Sequence, residues 1–145
     1  MEKTPFIETV GLRKYFRTPK GWLHAVDGVD LRIYRGQTLG VVGESGCGKS
    51  TLGRLLLRLL EATEGQVLYK GGDILAQDKR ELFETRKNLQ MIFQDPYACL
   101  NPRLTVSEII AEPLKVHRTV RGRENLQKKV EELMDTVGLA QRFIN

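Results

Sequence analysis

A chain of 145 residues, 41% apolar and 28% charged, has the size and composition of one ordinary soluble domain. Its 23 lysines and arginines against 18 acids leave a charge of +5, which suits a phosphate ligand or a nearby anionic surface. The basic residues are interleaved with acids rather than stacked in one run, which argues against a nucleic-acid partner. Two cysteines without metal-ligand spacing, no apolar leader after Met1 and no long uncharged run fit a reduced compartment and exclude a membrane span.

In chain order, the first third reads as strands. Val29, Leu31 and Ile33 alternate with Asp30, Arg32 and Tyr34, the period of a half-buried strand. After Arg35-Gly36, the run Gln37 to Val42 is apolar on both faces towards its end and reads as a buried parallel strand. Leu52, Leu55, Leu56, Leu59 and Leu60 then fall on one helical face, with Arg54 and Arg58 expected as solvated charges on another. Gly65 to Ile74 reads as a short strand and turn broken at Gly71-Gly72, and Leu89 to Phe93 as a further strand. Thr105-Val106-Ser107-Glu108 has the form of a helix N-cap, with its helix reaching about Pro113. A last helix is expected over Arg123 to Val137, striped by Leu126, Val130, Leu133 and Val137 and capped by Gly138. His24 and His117 read as surface residues.

The chemistry lies between the parallel-strand candidate and the leucine helix. Gly43-Glu44-Ser45-Gly46-Cys47-Gly48-Lys49-Ser50 matches G-x-x-x-x-G-K-[ST], the phosphate-binding P-loop, in the strand–loop–helix setting that the motif requires. Glycines let backbone N–H groups approach phosphates where side chains would collide. The helix start adds unpaired N–H groups and a positive dipole end. Lys49 supplies a mobile charge for the outer phosphates, Ser50 a hydroxyl for Mg²⁺, and Thr51 a contact to an inner phosphate. Cys47, beside Lys49 at the mouth of that helix, is the expected reactive thiol, shielded when ATP is bound.

Residues Gly43 to Arg54, with Phe93-Gln94-Asp95-Pro96, Leu100-Asn101-Pro102-Arg103, Ala25 to Val29 and Gly36 to Gly40, resemble the ATPases of ABC transporters. Within them the pattern is most similar to the F-type subunits of oligopeptide and dipeptide importers, from about Leu12 to the last residue. The resemblance implies an α/β P-loop NTPase fold with an N-terminal antiparallel β part and the start of a helical subdomain. It divides the chain at 1–94, the nucleotide-binding core, and 95–145, the Q-loop and helical part. Gln94 takes the Q-loop role, binding Mg²⁺ or positioning the attacking water; without the family it reads as a strand-end residue capping backbone. Phe16 takes the place of the aromatic that stacks on adenine, with Tyr15 as its rival; either alone would read first as packing. Asp95 to Asn101 implies the groove for a coupling helix of the transmembrane permease, with Tyr97 and Leu100 as contacts, and Cys99 stands where the group commonly has serine.

The implied partners are a second ATPase subunit and, indirectly, a peptide-binding protein, on the cytoplasmic face of the membrane. A Ser-Gly-Gly-Gln signature and an apolar strand ending in Asp-Glu do not occur in these 145 residues, so the chain is expected to be an incomplete domain, inactive alone. Two other readings stay open: a non-catalytic nucleotide-binding fragment, and the ATPase of a nickel or glutathione importer.

Overall fold

The computed structural model describes residues 4–95 and 99–140. Backbone contacts divide the chain into two units, Met1–Met91 and Ile92–Asn145; the sequence places that boundary after Gln94.

The first unit is built on a long hairpin of β1 (Ile7–Thr18) and β2 (Gly21–Ile33). With β3 (Glu64–Tyr69) and β4 (Gly72–Asp73) it forms an antiparallel sheet in the order β2-β1-β3-β4. The alternation at Val29, Leu31 and Ile33 is observed, each half-buried between exposed Asp30 and Arg32. The turn at Gly71-Gly72 joins β3 to β4 as the glycine pair implies.

The hairpin is not regular. Its pairing runs Thr9 with Leu31, Leu12 with Val29, Lys14 with Val26 and Tyr15 with His24. One extra residue therefore sits on β1 near Gly11, and one each on β2 near Gly28 and at Ala25. At the first of these, buried Thr9 donates its hydroxyl to the Val29 carbonyl at 2.8 Å and accepts from the Leu31 N–H at 3.0 Å. The side chain thus satisfies backbone groups that the broken ladder leaves over.

Helix α1 (Lys49–Leu56) packs Leu55 against Leu12, Val26, Val67 and Ile74, the buried core of this unit. The helix is shorter than its leucine stripe. Arg58 takes a left-handed conformation (φ 47°), its N–H bonds the Leu55 carbonyl, and the Leu59 N–H reaches back to Arg54 at 2.8 Å. This is a Schellman ending with arginine where glycine is usual. Arg58 is not a solvated charge: its guanidinium donates to the carbonyls of Ile74 (3.2 Å) and Gln77 (2.7 Å) and faces Glu61 at 3.3 Å. Arg54 is exposed, as the sequence implies.

Helix α2 (Lys79–Arg86) is absent from the sequence reading. Asp78 caps it, accepting from Arg80 and Glu81 N–H, while the Glu81 carboxylate accepts from the Asp78 N–H at 2.9 Å. Two expected strands are also corrected. Residues 37–42 and 89–93 form no strand and pair with no described strand. Leu39 is 42% exposed, Val41 50%, Val42 92% and Ile92 98%. A parallel strand exists only by its neighbours' hydrogen bonds, and the described sheet supplies none to these segments.

The second unit holds α3 (Val106–Val116) and α4 (Arg123–Thr136) around Ala111, Val130 and Met134. Thr105 and Glu108 form the expected capping box. Helix α3 passes through Pro113 and ends at Val116 rather than near the proline. On α4 the inner stripe is Leu126, Val130 and Met134; Val137 lies past the helix end and is 68% exposed. Gly138 (φ 72°) follows the C-cap residue Val137. His117 is half-buried at the C-cap of α3, less exposed than the surface reading holds, while His24 is exposed. Among the described residues no helix is long and apolar enough to cross a membrane.

Candidate functional site

Residues 43–48 form a loop, exposed up to Cys47 and half-buried at Gly48, that runs into the first turn of α1. Gly48 is its pivot. It caps α1 in a left-handed conformation (φ 98°), and a β-carbon added there would lie 2.1 Å from the Ala25 carbonyl oxygen. No side chain fits, so glycine is required on both conformational and steric grounds. Because Ala25 is the extra residue of β2, the loop meets the sheet at a bulge.

The loop folds over its own lysine. Lys49 Nζ donates to the carbonyls of Gly43 (2.7 Å) and Glu44 (2.6 Å) and lies 3.5 Å from Cys47 Sγ. A β-carbon on Gly43 would sit 2.6 Å from that sulfur, whereas one on Gly46 (φ 82°) would meet nothing within 4 Å. Gly46 is there for its dihedral, and Gly43 (φ 157°) for its dihedral and for its close approach to Cys47. Ser45 and Glu44 are exposed in the loop, Ser50 is exposed in the first turn of α1, and Thr51 follows, half-buried. A cavity of about 210 Å³ opens beside the loop, lined in part by Val26, Asp27, Val42, Cys47, Gly48 and Lys49. A cationic side chain, helix N–H groups and a hydroxyl beside it are donors of the kind that a magnesium-bound triphosphate needs.

The two aromatic candidates separate cleanly. Tyr15 is engaged: its hydroxyl donates to Asp27 Oδ1, its ring stacks on His24 at 4.0 Å, and its N–H bonds Thr63 Oγ1. The Asp27 bond pushes the Tyr15 phenol above its usual range and, with His24, holds the Asp27 carboxyl below its own. Phe16 is half-buried, with the Lys14 ammonium 5.1 Å from its ring centre. By strand alternation Phe16 shares the face of β1 that carries Leu12, which packs on α1, and Tyr15 takes the other. The cluster of Tyr15, His24 and Asp27 has no signature in the sequence, because it is assembled by the register shift at Ala25.

Gln94 is exposed in the second unit and lies outside any strand. In the segment that the resemblance assigns to the permease, Cys99 Sγ bonds the Asp95 carbonyl at 3.1 Å, Asn101 Oδ1 accepts from the Arg103 N–H, and Leu100 is 49% exposed. Tyr97 lies outside the described residues.

A G-x-x-x-x-G-K-S loop that is seated on an antiparallel sheet and enters a helix at its lysine fits a P-loop NTPase fold of the ATP-binding-cassette kind. The fold is shared with the dimeric ATP-binding cassette MJ0796 bound to ADP and Pi: TM-score 0.80 and 27% identity, covering 96% of this chain and 60% of that one. The family described as ABC transporter matches residues 26–144, and the chain belongs to it. It is 49% identical to the oligopeptide transport ATP-binding protein OppF of Bacillus subtilis over 96% of this chain and 46% of the relative. Against OppF of Salmonella typhimurium it is 50% identical, covering 92% and 40%. The chain thus spans somewhat less than half the length of these curated relatives.

Proposed function

We propose that this chain carries the ATP-Mg²⁺ site of the energy-coupling subunit of an importer for oligopeptides or dipeptides. The observation that supports it most is the placing of Lys49: it opens α1, and its ammonium closes over the mouth of a glycine loop. There it is ready to exchange two carbonyls for phosphate oxygens. The roles follow from the loop chemistry and the family. Gly43, Glu44, Ser45, Gly46, Cys47 and Gly48 present backbone to the phosphates, Lys49 neutralises the outer ones, Thr51 meets an inner one and Ser50 holds Mg²⁺. Phe16 stacks on adenine, and Gln94 supplies the Q-loop contact to Mg²⁺ or the attacking water. In the whole subunit, Asp95 to Asn101 receives the permease, and a second ATPase subunit completes the assembly on the cytoplasmic face of the membrane. The peptide substrate is supported by the names of the relatives.

Lys49→Ala should abolish ATP-Mg²⁺ binding while leaving the fold intact, because Lys49 contacts exposed carbonyls rather than core. Fluorescent-ATP titration and circular dichroism, run on the same sample, check this. Unchanged binding by a folded variant would sink the assignment.

A further inference from the structure

Near the end of the long hairpin two neighbouring aromatics lie on opposite faces: Phe16 has the Lys14 ammonium beside its ring, whereas Tyr15 is both hydrogen-bonded and stacked. Asp27 holds it. Its carboxylate accepts from the Tyr15 hydroxyl, lies 3.3 Å from His24 Nδ1 and 3.4 Å from Arg13 Nε. Arg13 is itself bound to Glu64 of β3. One side chain therefore ties β1, β2 and, through Arg13, β3. The clamp straddles Ala25, the bulge residue whose carbonyl seats Gly48. A bulge re-aims the residues beside it, and unlocked it is a place where a hairpin slips register.

We propose that Asp27 is a positioning residue for nucleotide recognition: by clamping Tyr15 and His24 across the Ala25 bulge, it sets the register that aims Phe16 at the base. The inference rests on the ATP reading above and deepens it. It assigns base recognition to a carboxylate that borders the cavity beside the glycine loop and acts through the side chains it holds. Tyr15 loses its standing as a rival stacking ring, because its hydroxyl and its face are both occupied. The downward shift of the Asp27 carboxyl fits a group kept ionised by donors, of which Tyr15 is the foremost. Arg13 and Tyr15 share one parity of β1, while Leu12, Lys14 and Phe16 share the other, so a slip of one residue would exchange the two faces.

The test compares ATP with inorganic tripolyphosphate, which offers phosphates and no base, on the native chain, Asp27→Ala, Tyr15→Phe and the double variant. Part of a base-stacking contact is at stake, so the ratio of ATP to tripolyphosphate affinity should fall about fivefold in Asp27→Ala. Tyr15→Phe, which removes only a hydroxyl, should lower the ratio in the same direction. The double variant should fall no further than Asp27→Ala, since both act through one contact. An unchanged ratio in Asp27→Ala and Tyr15→Phe, whatever happens to overall stability, overturns the proposal. If tripolyphosphate binds Lys49→Ala as tightly as the native chain, the phosphate-loop reading itself fails and this inference goes with it. Should Asp27→Ala not fold, the ratio in Tyr15→Phe decides alone.

Discussion

Helices α1 and α3 end in the same way and are held in opposite ways. Each closes in a Schellman motif with an arginine, Arg58 or Arg118, in the left-handed position. In the first unit Arg58 turns its guanidinium onto the carbonyls of Ile74 and Gln77, and its own carbonyl accepts from Arg86 at 3.0 Å. In the second unit Arg118 is exposed. The first unit is held by contacts between residues distant in sequence: sheet, bulge, loop seat and arginine brace. The second relies on local devices: a capping box, side-chain pairs such as Lys128 with Glu124, and a small core. Similar local geometry can therefore be fixed from outside or merely tolerated.

The largest expected effect lies within the loop itself. Gly48→Ala collides with the Ala25 carbonyl and strains a left-handed residue, so it should cost about 3 kcal/mol. Gly46→Ala meets no atom within 4 Å, and its strain alone should cost about 1 kcal/mol. Urea unfolding followed by hydrogen exchange in β2 checks both. Equal costs would mean that the loop is not seated on the bulge.

The arginine pair should come next, with opposite signs. Replacing Arg118 by glycine relieves a left-handed residue and should stabilise by about 0.5–1 kcal/mol. Replacing Arg58 by glycine also strips two carbonyls of their donor and should destabilise by about 1–2 kcal/mol. Thermal unfolding of both variants gives the comparison directly. A gain at both positions would show that the brace contributes nothing.

The smallest effect is the pH slope that Glu108 adds to the second unit, separate from the one Asp27 gives the first. The Glu108 carboxyl is held below its ordinary value of 4.5 by the Thr105 backbone N–H and then by its hydroxyl. A depressed folded pKa gives stability that is present above the unfolded value and lost as pH falls through the folded one. The protection of α3 amides should therefore weaken on going from pH 6 to pH 3. Glu108→Gln should flatten that profile, with the first unit unaffected.

What the sequence made legible follows the same divide. The glycine loop, the leucines of α1, the Gly71-Gly72 turn and the Thr105 capping box are short-range patterns, and each was readable. Asp78-x-x-Glu81 is the same kind of signal and would have revealed α2. The strand expectations at 37–42 and 89–93 failed because apolar runs state a propensity, whereas a strand needs partners. Arg58 looked solvated on a helical wheel, since nothing in its spacing says that α1 stops at Leu56. For the α4 stripe Leu133 was read in place of Met134, a choice between i+3 and i+4 that spacing alone does not make, and Val137 was added one residue past the helix end. Asp27 was passed over altogether: its partners converge only once two bulges have shifted the register of β2.

Those bulges have a consequence for solubility. In the described sheet β2 lies at the margin, with one side of its thirteen-residue backbone facing no other strand. A flat margin of that length is a template on which other chains add and fibres grow. Any incoming strand would have to match interruptions near Gly28 and at Ala25, with Asp30, Arg32 and His24 exposed along the same strand. The irregularity that seats Gly48 thus also works against strand addition along β2, leaving exposed Trp22 and Leu23 beside the hairpin turn as its stickiest part.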